Sequence, residues 1–383
     1  MKYRPFGKLD WKVSALGFGA MRLPVIDKDQ SKIDEPEAIK MIRHAIDNGV
    51  NYVDTAYPYH AGQSEFVVGK ALLDGYREKV KLATKMPAWM VKTADDFDKF
   101  LNEQLEKLQT DHIDFYLLHA LNRSTWPKLR DMGVLNWAEG AVEGGRIGRL
   151  GFSFHDDYDT FKEIVDGYDK WVLCQIQYNY MDVNHQAGVK GLKYAADKGI
   201  AGVIMEPLRG GSLTRKAPDI VAELWDSSTI KRSQAEWAIQ WVLNQPEAAM
   251  ALSGMTAMEH VVENLAIADR SGVGLLTDEE QALIHQASEA YIKACPVPCT
   301  GCNYCMPCPQ GVNIPRIFGV YNEGYMYDNH RTSRFSYRQL PAEAQADKCT
   351  ACRECMEVCP QDFEIPESLE KAHGWLGPKK EGS

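Results

Sequence analysis

Ten cysteines occur in 383 residues, and eight of them crowd into two short runs near the C-terminus. Cys299, Cys302, Cys305 and Cys308 fall within CTGCNYCMPCPQGVNIP, and Cys349, Cys352, Cys355 and Cys359 within CTACRECMEVCPQDFEIP. Each run has three cysteines separated by two residues, then Cys-Pro-Gln, then Ile-Pro at the same offset, so one motif is written twice. Three thiolates on a tight loop suit three corners of an iron–sulfur cube, and a fourth cysteine followed by proline suits the cube of the other copy. The expected pattern is therefore crossed. Cys299, Cys302 and Cys305 with Cys359 would hold one [4Fe-4S] cluster, and Cys349, Cys352 and Cys355 with Cys308 the other. Zinc, which prefers two separated C-x2-C pairs, and disulfides, which close such short loops badly, are the alternatives.

The second run has the full bacterial ferredoxin spacing, while the first is one residue short before Cys308. Outside the runs, Cys174 in VLCQIQ reads as a buried strand residue, and Cys295 as an inert thiol or a spare ligand.

The elements that must carry any further chemistry alternate with a period near thirty residues over the first 270 or so. Eight short apolar runs read as strands: 15–21, 51–56, 80–85, 114–119, 147–153, 172–177, 202–207 and 248–253. Between them, Ile39, Ile42 and Ile46 recur at helical spacing, as do Phe97, Phe100, Leu101, Leu105 and Leu108. Gly49, Gly145 and Gly199 each sit where a helix stops before the next strand. Eight strand–helix units predict an α/β fold, a (β/α)8 TIM barrel. A doubly wound sheet is the second choice, but no G-x-G-x-x-G opens the first helix. The longest interruption, from Arg209 to about Lys231, reads as a lid or a disordered loop. The expected domains are a barrel over 1–290, a small α-rich ferredoxin-like iron–sulfur domain over 291–370, and a tail over 371–383.

In such a barrel, chemistry collects at the C-terminal ends of strands. Asp54, Lys85 and His119 close the second, third and fourth strands, and Tyr59 follows the second. Their order and spacing, with the string DTAYPYHAGQSE, resemble the aldo-keto reductase family over roughly residues 1–290. That resemblance implies carbonyl reduction by a nicotinamide cofactor, NAD(H) or NADP(H). Tyr59 would be the general acid, Lys85 the cation that eases its proton loss, Asp54 the partner that keeps Lys85 charged, and His119 the group that orients the carbonyl. Tyr57 is a lookalike two residues too early. On the cofactor side the resemblance assigns Met21, Arg22, Ser153, Gln175, Gly254, Glu263 and Asn264. It also shows departures. Phe154 stands for an asparagine, Met205 for a stacking aromatic, and Gly254 and His260 for the two cations that grip a 2′-phosphate. Their loss favours NADH unless Arg22 or Arg209 compensates. Trp89, Met90, Trp126 and Trp137 read either as substrate-pocket walls or, more simply, as packing residues.

The formal charge of −10 excludes a nucleic-acid partner, and no apolar run approaches the ~20 residues needed to span a bilayer. The opening residues carry no export signal, so a cytoplasmic protein is expected. A small-molecule carbonyl substrate and a redox protein partner fit this picture. Along nearly its whole length the chain resembles iron–sulfur proteins of the same aldo-keto reductase type. Hydride carries two electrons whereas a cluster passes one. Three functions therefore compete: a nicotinamide-dependent reductase with accessory clusters, a cluster-fed reductase bridged by a flavin such as FMN, and a non-enzymatic electron carrier or redox sensor.

Overall fold

The computed structural model describes all residues except 300, 302, 304, 360 and 379–383, so Cys302 lies outside the described residues. Two antiparallel strands, β1 (Tyr3–Phe6) and β2 (Leu9–Ser14), precede the barrel. Eight parallel strands then close on themselves: β3 (Leu16–Gly19), β4 (Tyr52–Asp54), β5 (Lys81–Met86), β6 (Ile113–Leu121), β7 (Ile147–Phe154), β8 (Leu173–Gln177), β9 (Ala201–Met205) and β10 (Ala248–Gly254). Each pairs with its sequence neighbour, and β10 returns to β3. Every apolar run read as a strand is one.

The helices bury the faces that their spacing marks out. Helix Glu35–Asp47 is capped by Asp34, whose side chain accepts from the Glu37 amide, and it buries Ile42 and Ile46. Helix Asp95–Leu108 buries Phe97, Phe100, Leu101 and Leu108. Both pack in the layer between barrel and helices. The helix-stop glycines 49, 145 and 199 all adopt left-handed backbone, at φ +95°, +74° and +68°.

The β1–β2 hairpin has no counterpart in the sequence reading. Its buried Phe6 and Val13 share a core with Tyr52, Phe115 and Leu173 inside the barrel, and Phe6 lies 5.1 Å from the Phe115 ring. Tyr52 opens β4, so the hairpin plugs the end opposite the strand C-termini. Gly7 at its turn is held by two demands: φ is +56°, and a Cβ there would meet the Gly199 carbonyl oxygen at 2.6 Å.

By its contacts the chain divides into two compact units, Met1–Gly210 with Arg232–Thr277, and Gly211–Lys231 with Asp278–Ser383. The second unit contains helices Asp219–Ser227, Asp278–Lys293, Ile314–Met326, His330–Arg338 and Ile365–Leu376. The long interruption after β9 is thus ordered, and its helix Asp219–Ser227 packs on Asp278–Lys293. The core of this unit gathers Val312, Ile317, Phe318, Tyr337, Ile365 and Leu369. The written repeat is also a backbone repeat. Gly301 and Ala351, Asn303 and Arg353, and Gly311 and Asp362 occupy matching places, and all six have positive φ. Each run then enters a helix at its Ile-Pro pair.

Candidate active site and cluster-binding loops

Asp54 ends β4 and Lys85 lies on the adjacent β5, so neighbouring parallel strands bring them together. Lys85 Nζ donates to Asp54 Oδ1 at 2.6 Å and to the Thr55 carbonyl at 2.8 Å, and the lysine is 1% exposed. Burial works against its ammonium, yet Asp54 and Tyr59 outweigh it and hold the group above its usual value. Burial alone pushes Asp54 upward, opposed by Lys85 and the Gln175 side chain. A polar wall fixes the strand behind this pair. Gln104 Nε2 donates to the Lys85 carbonyl at 3.1 Å and to Glu65 Oε1 at 2.6 Å, and Thr84 Oγ1 donates to the same Glu65 oxygen at 2.7 Å. Sequence reasoning missed this wall; the only signal was the polar string QSE within an otherwise apolar helix start.

Tyr59 begins a short 3-10 turn after β4, and its ring lies 5.0 Å from Lys85 Nζ and 5.9 Å from the His119 ring. Burial raises the Tyr59 phenol, and Lys85 opposes it by charge and by hydrogen bond. The cation therefore acts in the expected sense, but burial prevails and the phenol keeps its proton at neutral pH. Tyr57 is engaged elsewhere: its hydroxyl donates to Glu103 at 2.8 Å. His60, not singled out beforehand, clamps the turn. Its Nε2 accepts from the Leu23 amide at 3.0 Å, and its Nδ1 lies 2.9 Å from the Gln30 carbonyl. A carbonyl only accepts, so Nδ1 carries the proton and the ring is neutral.

His119 stands on β6 at a register shift, beside Ala120 at φ +54°. Burial first, then Lys85 and His155, hold its imidazole well below the usual value, so it is neutral. Trp89 packs 5.1 Å from it and is 49% exposed, whereas Trp126 is buried against Trp171 and Trp137, half-buried, packs against Phe97. Of the four candidate pocket residues, Trp89 and Met90 stay on the surface and Trp126 and Trp137 pack into the helical layer.

The residues assigned to a nicotinamide cofactor divide. Ser153, next to last in β7, and Gln175, midway along β8, are both buried. Ser153 Oγ accepts from the Ala120 amide at 2.7 Å, while Gln175 Oε1, Asp54 Oδ2 and His119 Nδ1 are buried with no hydrogen-bond partner. An orphaned amide oxygen fits a carboxamide N–H, so these residues suit a nicotinamide ring. Met21 is 54% exposed, and the Arg22 stem lies over Gly254, where a Cβ would meet it at 3.2 Å. Arg209 is held by Asp182 at 2.9 Å. Glu263 accepts from Ser233 at 2.6 Å, and Asn264 donates to Ser253 at 3.1 Å. Phe154 packs edge-on to Phe161, so that position belongs to the core.

In the second unit two cavities form between the cysteine runs. One is lined by Cys305, Cys308, Cys349, Cys352 and Cys355; the other by Cys299, Cys305 and Cys359 with Phe318 and Phe363, so Cys305 borders both. The last cysteine of each run thus lies with the triplet of the other, Cys302 excepted as undescribed. No disulfide joins the described cysteines. Burial and the neighbouring thiols Cys305, Cys349 and Cys352 push the Cys355 thiol up to about 11. Several sulfurs lining one cavity, with Arg353 also on its wall, form a donor set that suits iron. Cys174 is buried in β8, and burial lifts its thiol to about 12, as an inert strand residue should be.

The model of the aldo/keto reductase family matches residues 15–289. The chain belongs to the aldo/keto reductase family. A 4Fe-4S dicluster domain matches residues 298–364. The chain is 25% identical to an NADH-specific methylglyoxal reductase of Escherichia coli over 76% of this chain and 99% of that one. It is 27% identical to a probable aldo-keto reductase 1 of Glycine max, over 68% and 82%. Among solved structures, the holo form of an aldo-keto reductase from Bacillus halodurans aligns with a TM-score of 0.62 at 26% identity, covering 75% of this chain and 96% of that one. This aldo-keto reductase is therefore an oxidoreductase built on a (β/α)8 barrel with an iron–sulfur domain appended. Among the described residues no helix is long and apolar enough to cross a membrane.

Proposed function

We propose that the barrel, over 1–290, reduces an aldehyde or ketone with hydride from NADH or NADPH, and that the 291–370 region holds two [4Fe-4S] clusters. The observation that carries the first part is the buried Lys85–Asp54 pair beside a half-buried Tyr59, whose ring lies 5.0 Å from Lys85 Nζ. Bound NADH or NADPH would supply the hydride, and the buried Gln175 and Ser153 would hold its carboxamide.

When hydride reaches the carbonyl carbon, the oxygen gains charge and needs a proton. Tyr59 delivers it from its hydroxyl, and Lys85 steadies the phenolate left behind. Asp54 keeps Lys85 an ammonium inside the protein, where burial alone would neutralise it. His119, neutral, donates a hydrogen bond to the carbonyl oxygen without competing for the proton. Trp89 beside it gives the substrate an apolar wall.

Gly254 and His260 supply no lysine or arginine for a 2′-phosphate, which favours NADH, although Arg22 over Gly254 leaves one cation close by. For the clusters, support comes from the two cysteine-lined cavities and their crossed lining. A cytoplasmic setting suits cysteines that must stay reduced.

The test is to purify the protein without oxygen, assay iron, sulfide and flavin, and titrate it with NADH and NADPH. Near eight irons per chain, no flavin, and tighter binding of NADH are expected. A stoichiometric flavin would favour the cluster-fed reading, and absence of nicotinamide binding would remove the present one.

A further inference from the structure

We propose that helix His330–Arg338 is the docking surface for a small acidic one-electron carrier protein. The proposal rests on the cluster reading above and supplies the partner which that reading lacks. The helix, HRTSRFSYR, contains three arginines, one histidine and no acid, in a chain whose formal charge is −10. Arg331, Phe335 and Arg338 recur at spacings of four and three, so they form one stripe, and all three are exposed. Phe335 is 64% exposed, more than any other large apolar side chain among the described residues. Among those residues no carboxylate forms an ion pair with Arg331 or Arg338; Asp328 lies 3.5 Å from His330, at the opposite end of the helix from Arg338.

The opposite stripe is anchored. Ser333 and Tyr337 are buried, and the Tyr337 hydroxyl accepts from the Ala346 amide at 2.9 Å and lies 2.7 Å from His373 Nδ1. Arg334 Nε donates to the Trp375 carbonyl at 2.9 Å. Tyr337 belongs to the same core against which Cys349 and Cys355 pack, and Ala346 opens the turn leading into Cys349. A rigid basic ridge with one bare aromatic ring therefore stands on the element that supports a cysteine run.

An exposed aromatic flanked by arginines is the composition of an interface anchor. The net negative charge of the chain opposes a carrier of like sign while this basic ridge attracts it, which favours one orientation as well as a faster encounter. The step is a single electron leaving the reduced centre of the carrier and arriving at an oxidised cluster of this chain, with no bond made and no proton moved.

The test uses the anaerobically purified full chain and a small acidic two-cluster ferredoxin as probe. Binding is followed by calorimetry at about 0.05 and about 0.3 M NaCl, and cluster bleaching is followed with the reduced ferredoxin and with dithionite. Binding should weaken about tenfold with salt, and R331E/R338E should weaken it about tenfold at low salt and slow ferredoxin-driven bleaching alike. F335A should lower affinity at both salts. Dithionite should bleach wild type and variants equally, showing intact folds. Equal binding of ferredoxin by wild type and R331E/R338E would overturn the proposal, as would binding to anionic phosphatidylglycerol vesicles in place of ferredoxin. Absence of iron or of dithionite bleaching would instead strike the cluster reading, while the calorimetry would still decide the surface.

Discussion

The barrel mouth and the cysteine unit hold their chemistry in opposite ways. At the mouth, Asp54, Lys85 and His119 are set by hydrogen-bonded parallel strands, and Lys85 is further held by a wall of Gln104, Glu65 and Thr84. In the cysteine unit the sulfurs ride on loops with left-handed residues, including Ala351, Arg353 and Asp362, for which that conformation costs energy. The first site is held in place without its cofactor, since Lys85 and Asp54 pair with each other, and it leaves Gln175 Oε1, Asp54 Oδ2 and His119 Nδ1 open to one. The second lines two cavities with thiols that no disulfide joins among the described cysteines. Preorganisation by strands suits a reaction in which hydride and proton must arrive at fixed points. Loops suit a site whose order is finished by what binds it.

That contrast can be broken at several points. Tyr59→Phe removes the proton donor but no packing, so carbonyl turnover should fall about a thousandfold while the cluster absorbance is unchanged. Equal turnover would separate Tyr59 from the reaction. Lys85→Met leaves Asp54 buried without its cation and should cost about 3 kcal/mol, read from the urea midpoint of the barrel. A stability equal to wild type would mean the pair is less buried than its 1% and 2% side-chain exposure indicates. In the other unit, Cys355→Ser should lower iron by about half and leave nicotinamide binding as it was. Loss of both functions would show the two halves to be less independent than their construction suggests.

The smallest effect is in pH. Burial is the first cause that holds His60, His119 and His155 below the ordinary imidazole value. The unfolded chain takes up protons near pH 6.5 that the folded barrel refuses, so stability is full above that pH and declines as pH falls toward the folded values. Urea midpoints should drop between pH 7 and pH 5, before most carboxylates titrate. A flat profile would show that these rings are reached by water.

Most of the barrel was legible because its strands are short apolar runs with glycine stops, a local signal repeated eight times. The β1–β2 hairpin was not, since Phe6 stands alone between Pro5 and Gly7 and Val13 follows Lys12, and both reveal their purpose only once a barrel end needs filling. Among site residues, Asp54, Tyr59, Lys85 and His119 stood out by spacing. Gln104 and Glu65 did not, because a buried polar network depends on which helix turns face a strand. The net direction at Tyr59 was equally hidden: a neighbouring lysine is visible in a sequence, and the degree of burial that outweighs it is not. The cysteine repeat announced its metal chemistry and, through its Cys-Pro ends, a crossed pattern; that Cys305 lines both cavities depends on the chain path between the runs.

The central claim is that hydride reaches the carbonyl carbon while Tyr59 gives its proton to the carbonyl oxygen. It is tested most directly by supplying NADH deuterated at the transferring position, with methylglyoxal and other simple aldehydes, to the anaerobic enzyme. Mass spectrometry should find one deuterium on the former carbonyl carbon of the product in wild type and almost no product with Tyr59→Phe. Product without deuterium, formed only when the clusters have been reduced, would contradict the account.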